Sequence, residues 1–296
     1  MRWFARTEQL LGTEGMAQLA GARVAVFGLG GVGSFLVEAL ARAGVGSLRL
    51  VDYDCTNASN LNRQLLALQS TLGRPKVELA RARVLDINPD CQVDARQTFI
   101  NADTVDGLLE PDLDLAVDAI DSLSSKVLLL AACVRRGLPV LSSMGAGGRM
   151  DGGQVLCADL DRTRNCPLAR VVRQRLHRLG IRDGIPCVYS LEPARNKLPH
   201  DPRDAGDHQG AGRPRTPIGT ISYMPALFGL RLAQEVISRL LHADQADQGD
   251  HADQADTLER PAAAPSATPG PPGIPDPSGR PGAPRSPDPG AEPGFP

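Results

Sequence analysis

The sequence lacks the features that mark membrane, secreted and metal-scaffold proteins. No run approaches the roughly 18 consecutive apolar residues that a membrane-spanning helix requires. The opening segment MRWFARTEQLLG is polar and charged where a secretory signal peptide is apolar. Six cysteines are scattered along 296 residues, without a CxxC pair or a histidine at ligand spacing, so neither a zinc site nor a disulfide framework is indicated. These absences predict a cytoplasmic protein with reduced thiols and no membrane partner.

Charge and proline are distributed unevenly along the chain. Residues 242–296 hold nine acidic and three basic side chains, which leaves 29 basic against 25 acidic residues in the rest of the chain. That terminal segment begins with DQAD repeats and becomes rich in proline and glycine without hydrophobic periodicity, which predicts a disordered tail. Residues 193–217 are also polar and predict a mobile loop. We therefore expect one domain over residues 1–241.

Short apolar runs alternate with helical patterns through the first half of the chain. Residues 24–27 predict a strand, and a glycine turn and a helical pattern follow it. Four more strands are predicted in SLRLVDYD, QVDARQTFI, DLDLAVDAIDS and LPVLSS, with helices between them, and ISYMPALFGLRLAQEVISRLL predicts a closing helix. The alternation predicts an α/β fold, Rossmann-like and doubly wound, in which helices cover both faces of a mostly parallel sheet.

Polar residues and glycines follow several of these strands. The pattern GxGxxG after the first strand consists of Gly28, Gly30, Gly31 and Gly33. Such a turn brings backbone N–H groups close to phosphate oxygens at the start of a helix. Asp52 and Asp54 come at the end of the second strand, where a carboxylate can accept hydrogen bonds from ribose hydroxyls. These features predict a nucleotide site and fit a nicotinamide enzyme and an ATP enzyme equally.

The segment after the second strand favours ATP. It contains Asn60, Arg63, Gln64 and Lys76. Attack on a triphosphate moves charge onto the leaving pyrophosphate, and the guanidinium of Arg63 and the ammonium of Lys76 can stabilise that charge. Asp121, after the fourth strand, is a candidate Mg²⁺ ligand, because carboxylate and phosphate oxygens commonly hold this ion together. The alternative is that Asp121 caps the helix that follows.

Several segments together resemble the ubiquitin-activating-enzyme-like adenylyltransferases, a superfamily that includes ThiF, MoeB and HesA. They are RTEQLLG, GLGGVGS, the LVDYD…SNLNRQ block, GRPKVE, DAIDS…K and GAGG, and they extend over about residues 6–241. Within the superfamily, SMGAGGRMD, CVYSLEP and PIGTISYMPALFGLRLAQEVI are most similar to the branch of tRNA threonylcarbamoyladenosine dehydratases. The resemblance implies that residues 1–241 form an ATP-binding adenylyltransferase-like domain.

The resemblance also implies the reaction and the roles of the site residues. The threonyl carboxylate of the modified adenosine in tRNA would be adenylated and then cyclised by its own carbamoyl group, with loss of water. Asp52 would hold the ribose, and Asp121 would lie near Mg²⁺ and the triphosphate. The phosphate contacts would come from Asn60, Arg63, Gln64 and Lys76. Arg6 stands where relatives place an arginine that reaches the ATP of the other subunit, which implies a homodimer with shared sites.

Alternatives remain at this point. The same fold could adenylate the C-terminal glycine of a sulfur-carrier or ubiquitin-like protein. A third interpretation is a nicotinamide oxidoreductase or a scaffold that binds nucleotide without catalysis. A sulfur-transfer protein is a further candidate partner in addition to the tRNA. The absent CxxC pair argues against many carrier activators, and Arg63 and Lys76 argue against hydride transfer. We interpret Cys166 and Cys187 as non-catalytic. The GAGG turn lines either the site or a monovalent-cation pocket.

The best candidate surface for tRNA is the segment ARVVRQRLHRLGIR. It contains no carboxylate and five arginines, which are Arg170, Arg173, Arg175, Arg178 and Arg182. Arginine at this density suits contacts with phosphates, which give affinity without base specificity. The alternative interpretation is an ordinary solvated helix face.

Overall fold

One seven-stranded sheet organises the structure, a computed structural model that describes residues 3–195 and 218–242. The strands are β1 (Arg23–Phe27), β2 (Ser47–Val51), β3 (Gln92–Arg96), β4 (Leu115–Asp118), β5 (Val140–Ser143), β6 (Val155–Asp159) and β7 (Pro186–Ser190). They lie in the order β3-β2-β1-β4-β5-β7-β6. All pairings are parallel except that of β6 with β7. The predicted doubly wound, mostly parallel sheet is confirmed.

Helices cover both faces of this sheet. Within the described residues they are α1 (Ala5–Gly21), α2 (Gly33–Ala43), α3 (Lys76–Ile87), α4 (Val105–Leu108), α5 (Leu123–Arg135), α6 (Pro167–Arg178) and α7 (Tyr223–His242). In residues 3–195 and 218–242, no helix combines the length and the apolar character needed to cross a bilayer. The predicted closing helix is α7, and it extends one residue past the predicted domain boundary. Residues 196–217 of the predicted loop and the tail after residue 242 lie outside the described residues.

The two faces of β1 separate two apolar clusters. Val24 and Val26 belong to the cluster that includes side chains of α2, α3 and α7. Ala25 and Phe27 belong to the cluster that includes side chains of α4, α5 and α6. This alternation follows from the period of two along a strand, and a strand buried on both faces is apolar throughout. The central strand is therefore held rigidly, and the turn that leaves it has a fixed position.

Helices α2 and α7 cross closely beside that turn. A Cβ atom on Gly229 of α7 would lie only 2.4 Å from the carbonyl oxygen of Val32, so no larger residue fits there without moving the helices apart. Pro225, one turn earlier on α7, comes similarly close to Gly31 of the glycine turn. The closing helix thus supports the start of α2 from outside the sheet.

Candidate active site

Two of the four predicted glycines are required by backbone packing within the turn. Gly28 has φ of 91°, and a Cβ there would lie 2.8 Å from the carbonyl oxygen of Ala119, at the end of the neighbouring strand. A Cβ on Gly33 would overlap the carbonyl oxygen of Gly28 at 1.8 Å. These glycines allow the turn to leave β1 and enter α2 with almost no spare volume.

The other two glycines differ in their surroundings. Gly31 contacts α7, since a Cβ there would lie 2.9 Å from Cβ of Pro225. Gly30 has open space, and the nearest atom to its added Cβ would be Nε2 of Gln64 at 3.8 Å. The free volume for a ligand at this turn is therefore beside Gly30 and Gln64. The prediction that all four glycines approach phosphate remains a prediction.

The carboxylate of Asp52 is buried and already oriented. One oxygen accepts the N–H of Leu29 at 2.6 Å and the other accepts the N–H of Asp54 at 2.8 Å, so the carboxylate joins the end of β2 to the glycine turn. Burial raises the pKa of Asp52, while the charge of Lys76 and the two N–H groups oppose that shift. A carboxylate held in this way has remaining lone pairs for hydroxyl donors.

Lys76 begins α3 next to Asp54. Its side chain is buried, and Nζ lies 3.0 Å from Oδ2 of Asp54, whose own side chain is 43% exposed. The backbone N–H of Lys76 donates to the Asp54 carbonyl oxygen at 3.0 Å. The structure therefore brings together the acidic end of β2 and the predicted cation, although they are 22 positions apart in the sequence.

Arg63 lies opposite Asp121. Its Nη1 donates to the carbonyl oxygen of Ser59 at 2.7 Å and to Oδ1 of Asn62 at 2.9 Å. Burial lowers the pKa of Arg63, and the nearby carboxylate of Asp121 opposes that shift. Because an arginine stays charged in proteins, this guanidinium is a permanent positive group beside an exposed carboxylate.

Asn60 and Gln64 are the two buried amides of this segment. Asn60 serves the local backbone, since its Oδ1 accepts the N–H of Asn57 at 3.3 Å at the start of a short 3-10 helix. Oε1 of Gln64 is buried and has no hydrogen-bond partner in the part of the chain that the structure describes. Buried polar atoms are nearly always paired, so an orphaned acceptor beside the open Gly30 indicates a ligand that donates a hydrogen bond there.

Sequence reasoning missed a buried ion pair beneath Asp121. Asp118 and Lys126 are both fully buried, and Nζ of Lys126 lies 2.5 Å from Oδ2 of Asp118. The same Oδ2 accepts Oγ–H of Ser142 at 2.6 Å, and Nζ also donates to the Ser143 carbonyl oxygen at 2.9 Å. Oδ1 of Asp118 accepts the N–H of Ile120 at 3.0 Å. The network thus joins the ends of β4 and β5 to the first turn of α5.

This network fixes the loop that carries Asp121. The strand β4 ends at Asp118, so Asp121 lies in the connection to α5 and not on the strand itself. Ser122, not Asp121, occupies the position before the first helical residue, and its side chain makes no capping hydrogen bond. Both members of the pair lie in the DAIDS…K segment, but nothing in the sequence alone showed that Asp118 and Lys126 pair with each other.

The turn after β5 is held by a buried arginine. Nε of Arg149 donates to the carbonyl oxygen of Glu192 at 3.0 Å, and Nη1 donates to the carbonyl oxygens of Gly145 and Gly147. The carbonyl oxygen of Gly148 accepts the N–H of Arg195 at 2.8 Å. Next to this turn, the carbonyl oxygen of Thr220 accepts a hydrogen bond from the Asn62 side chain, so the turn borders the Arg63 segment.

Four of the six cysteines are in surroundings that disfavour the nucleophilic thiolate, whereas Cys55 is exposed. Burial raises the pKa of Cys91 to about 11 and those of Cys133 and Cys157 to about 12. Burial also raises the pKa of Cys187 well above its usual range, and Cys166 is buried. Thiols in such surroundings stay protonated and unreactive. Among the described residues, no group of three or more potential metal ligands was found.

Arg6 lies at the opposite edge of the sheet from the glycine turn. The ring of neighbouring Phe4 is 3.5 Å from the position that a Cβ on Gly44 would occupy, at the C-terminal end of α2. The glycine turn is at the other end of α2, which spans about 16 Å at the helical rise per residue. The structure therefore does not bring Arg6 to the other predicted site residues of its own chain.

We expect Lys126→Met to destabilise the fold by about 3–5 kcal/mol, because it leaves the Asp118 carboxylate buried without its partner. The double variant Asp118→Asn/Lys126→Met should recover most of that loss, since the asparagine side chain is neutral and its Oδ1 can still accept the Ile120 N–H. Urea unfolding of the two variants measures both free energies. Equal stability of the single and double variants would contradict this description of the pair.

Comparison with known proteins identifies the family of this chain. The ThiF family matches residues 4–264. The tRNA threonylcarbamoyladenosine dehydratase of Bacillus subtilis is 39% identical over 239 residues, which is 80% of this chain and 94% of that protein. The molybdopterin-synthase adenylyltransferase of Salmonella typhimurium is 40% identical over only 139 residues, 47% of this chain and 55% of that one.

A solved structure extends the comparison to the whole domain. The crystal structure of E. coli tRNA N6-threonylcarbamoyladenosine dehydratase in complex with ATP has a TM-score of 0.73 and 32% identity to this chain. The match covers 84% of this chain and 97% of that one. The family match and the similarity over most of this chain show that the chain belongs to the ThiF family.

Proposed function

We propose that this protein is an ATP-dependent dehydratase that cyclises threonylcarbamoyladenosine in tRNA through a carboxyl-adenylate intermediate. The observation that carries the proposal is the cluster at the carboxyl ends of β1, β2 and β4, where Asp52, Arg63, Lys76 and Asp121 surround an open glycine turn. The relatives that match over most of the chain have this activity in their names, and one of them has been solved with ATP.

The chemistry requires an activated carboxylate. The oxygen of an unmodified carboxylate is too poor a leaving group for ring closure. The carboxylate therefore first attacks the α-phosphorus of ATP, which releases pyrophosphate and makes AMP the leaving group. Arg63 and Lys76 stabilise the charge that moves onto pyrophosphate. The carbamoyl group of the same side chain then attacks the activated carbonyl carbon and displaces AMP, an intramolecular step favoured by proximity. The carboxylate oxygen lost from the nucleoside leaves in AMP.

The remaining polar groups fit the nucleotide. Asp52 is oriented to accept hydroxyl donors of the ribose, and the orphaned Oε1 of Gln64 accepts a further donor beside Gly30. Asn60 supports the segment from inside. The exposed carboxylate of Asp121 fits Mg²⁺ as an oxygen ligand, and the bound ion would neutralise part of the phosphate charge.

We assign no monovalent cation to the turn after β5. The carbonyl oxygens of Gly145 and Gly147 accept hydrogen bonds from Arg149, and that of Gly148 accepts one from Arg195. The positive charge at this turn is therefore supplied by the guanidinium of Arg149. A sulfur-transfer protein has no place in the chemical steps either, because the dehydration balances without sulfur.

Adenylation of a carrier protein is the second candidate, since it uses the same first step. The surroundings of Cys133, Cys157 and Cys187 argue against a later transfer to these thiols, because their raised pKa values keep them protonated. The similarity to a carrier-activating relative also covers less than half of this chain. Both observations favour the dehydratase.

Incubation with ATP, Mg²⁺ and tRNA that bears threonylcarbamoyladenosine should yield a nucleoside lighter by one water after digestion, with one AMP formed per product.

Arg63→Ala and Lys76→Ala should each lower the rate of pyrophosphate release by about 10²–10³-fold, because each removes a charge that stabilises the transition state. Mass spectrometry of nucleosides and a pyrophosphate assay measure the two effects.

The matched control is Arg81→Ala, which removes an exposed arginine of α3 and should leave turnover near the wild-type value. Near-normal turnover of both Arg63→Ala and Lys76→Ala would contradict the site assignment. Unchanged nucleoside together with adenylation of an added carrier protein would support the second candidate instead.

We propose in addition that the protein acts as a homodimer in which Arg6 completes the site of the partner. Its position at the amino edge of the sheet supports this, because about 16 Å of α2 separates that edge from the glycine turn of the same chain. A second copy can bring the guanidinium to a phosphate that its own chain cannot reach.

Mixing two inactive variants tests the shared site. Arg6→Ala and Lys76→Ala chains should each be inactive alone, but a mixed dimer has one site with both side chains intact. Random reassociation of equal amounts should therefore restore about a quarter of wild-type turnover, given a two-fold dimer with two sites. No recovery, with mixed dimers demonstrated by mass spectrometry of tagged chains, would place Arg6 outside the partner's site.

A further inference from the structure

One face of α6 carries three exposed arginines without a partner among the residues that the structure describes. The side chains of Arg170, Arg175 and Arg178, here called the arginine face, make no hydrogen bond or ion pair with any described residue. At 100° per residue they fall within an arc of about 140°. The opposite side of the helix is buried against the core through Ala169 and Val172. The helix is thus anchored, and its charged face points to solvent.

Arg173 does not belong to this face, although the sequence places it in the same run. Its Nη1 donates to the carbonyl oxygen of Leu160 at 2.9 Å and to the hydroxyl of Thr163 at 2.9 Å. It also donates to the Thr163 carbonyl oxygen at 3.2 Å. Arg173 therefore holds the segment before α6 in place, and its positive charge is engaged within the protein.

The arginine face differs from the exposed surfaces of α2 and α7. Arg42 on α2 pairs with Glu38 at 2.7 Å, and Arg231 on α7 pairs with Glu235 at 2.9 Å. On α6 there is no carboxylate, and Arg175 and Arg178, three residues apart, repel each other at a cost to helix stability. Arginines near a helix C-terminus interact favourably with the helix dipole, but that effect falls off within the last turn and does not extend to Arg170.

The position of α6 connects this face to the candidate active site. Leu168, in the first turn of α6, lies 3.9 Å from the position that a Cβ on Gly145 would occupy. Asn165, just before the helix, donates to the carbonyl oxygen of Leu191 at 2.9 Å. From the turn after β5, the twelve residues of α6 extend about 18 Å. The arginine face therefore begins beside the carboxyl edge of the sheet and leads away from it.

We propose that the arginine face binds the phosphate backbone of the tRNA that flanks the modified nucleoside. The proposal rests on the proposed function and names the surface that its substrate uses. Unpaired guanidinium groups match phosphates in charge and geometry, and they give affinity that is independent of sequence and sensitive to salt. Direct base contacts are not part of this surface.

The double variant Arg170→Gln/Arg178→Gln tests the proposal in the full-length protein. Its KM for tRNA should rise about tenfold at physiological salt, while kcat at saturating tRNA and the KM for ATP stay within about twofold. The slope of log binding constant against log salt should become less negative by about 0.7–0.9 for each arginine removed. The control Arg81→Gln/Arg135→Gln removes the same charge from exposed arginines of α3 and α5 that likewise have no described partner, and it should leave the affinity and the slope unchanged.

Each outcome separates the surface from the activity. Wild-type affinity and slope in the α6 variant, or an equal loss in the control variant, would overturn the proposal. A wild-type protein that binds tRNA through this face but leaves the nucleoside unchanged would support the surface and overturn the proposed function. Normal dehydration with an unchanged KM for tRNA in the α6 variant would retain the function and exclude the surface.

Discussion

The contact between the ends of β1 and β4 determines the geometry of the whole site. At Gly28 the backbone comes so close to Ala119 that no side chain fits, and directly behind Ala119 the buried pair of Asp118 and Lys126 fixes the strand end. The glycine turn and the loop that carries Asp121 are therefore two sides of one packed junction. Because the interior is close-packed, neither side can shift without the other. The cations reach this junction from the segment after β2.

Burial gives the charged groups of this junction different roles. Asp118 and Lys126 are fully buried and satisfied by each other and by Ser142 and Ser143, so they are structural. Asp52 is buried but keeps lone pairs available, which suits a permanent hydrogen-bond acceptor. Asp121 is exposed, which suits a group that meets a metal ion and phosphates. Similar carboxylates thus suit different roles because they are buried to different depths.

Much of the fold could be predicted from the sequence, because a doubly buried parallel sheet has a clear pattern of apolar runs and helical segments. The glycine turn and the carboxylates at the strand ends followed from the same pattern. The roles of individual residues did not. Gly31 packs closely against Pro225 of α7, and Arg173 looks like its neighbours in the sequence but is bound to Thr163. These differences depend on partners distant in sequence, which no local pattern contains, and the same is true of the Asp118–Lys126 pair.

The central claim is that a substrate carboxylate becomes bonded to the α-phosphorus of ATP at this junction. The most direct measurement uses tRNA whose threonyl carboxylate is labelled with oxygen-18, followed by mass spectrometry of the nucleotide released. If the carboxylate is adenylated and then displaced by the carbamoyl group, each AMP formed carries one oxygen-18 atom. The claim would be contradicted if the released AMP were unlabelled and the label were found in water. It would also be contradicted if ADP were the product and the label were found in inorganic phosphate.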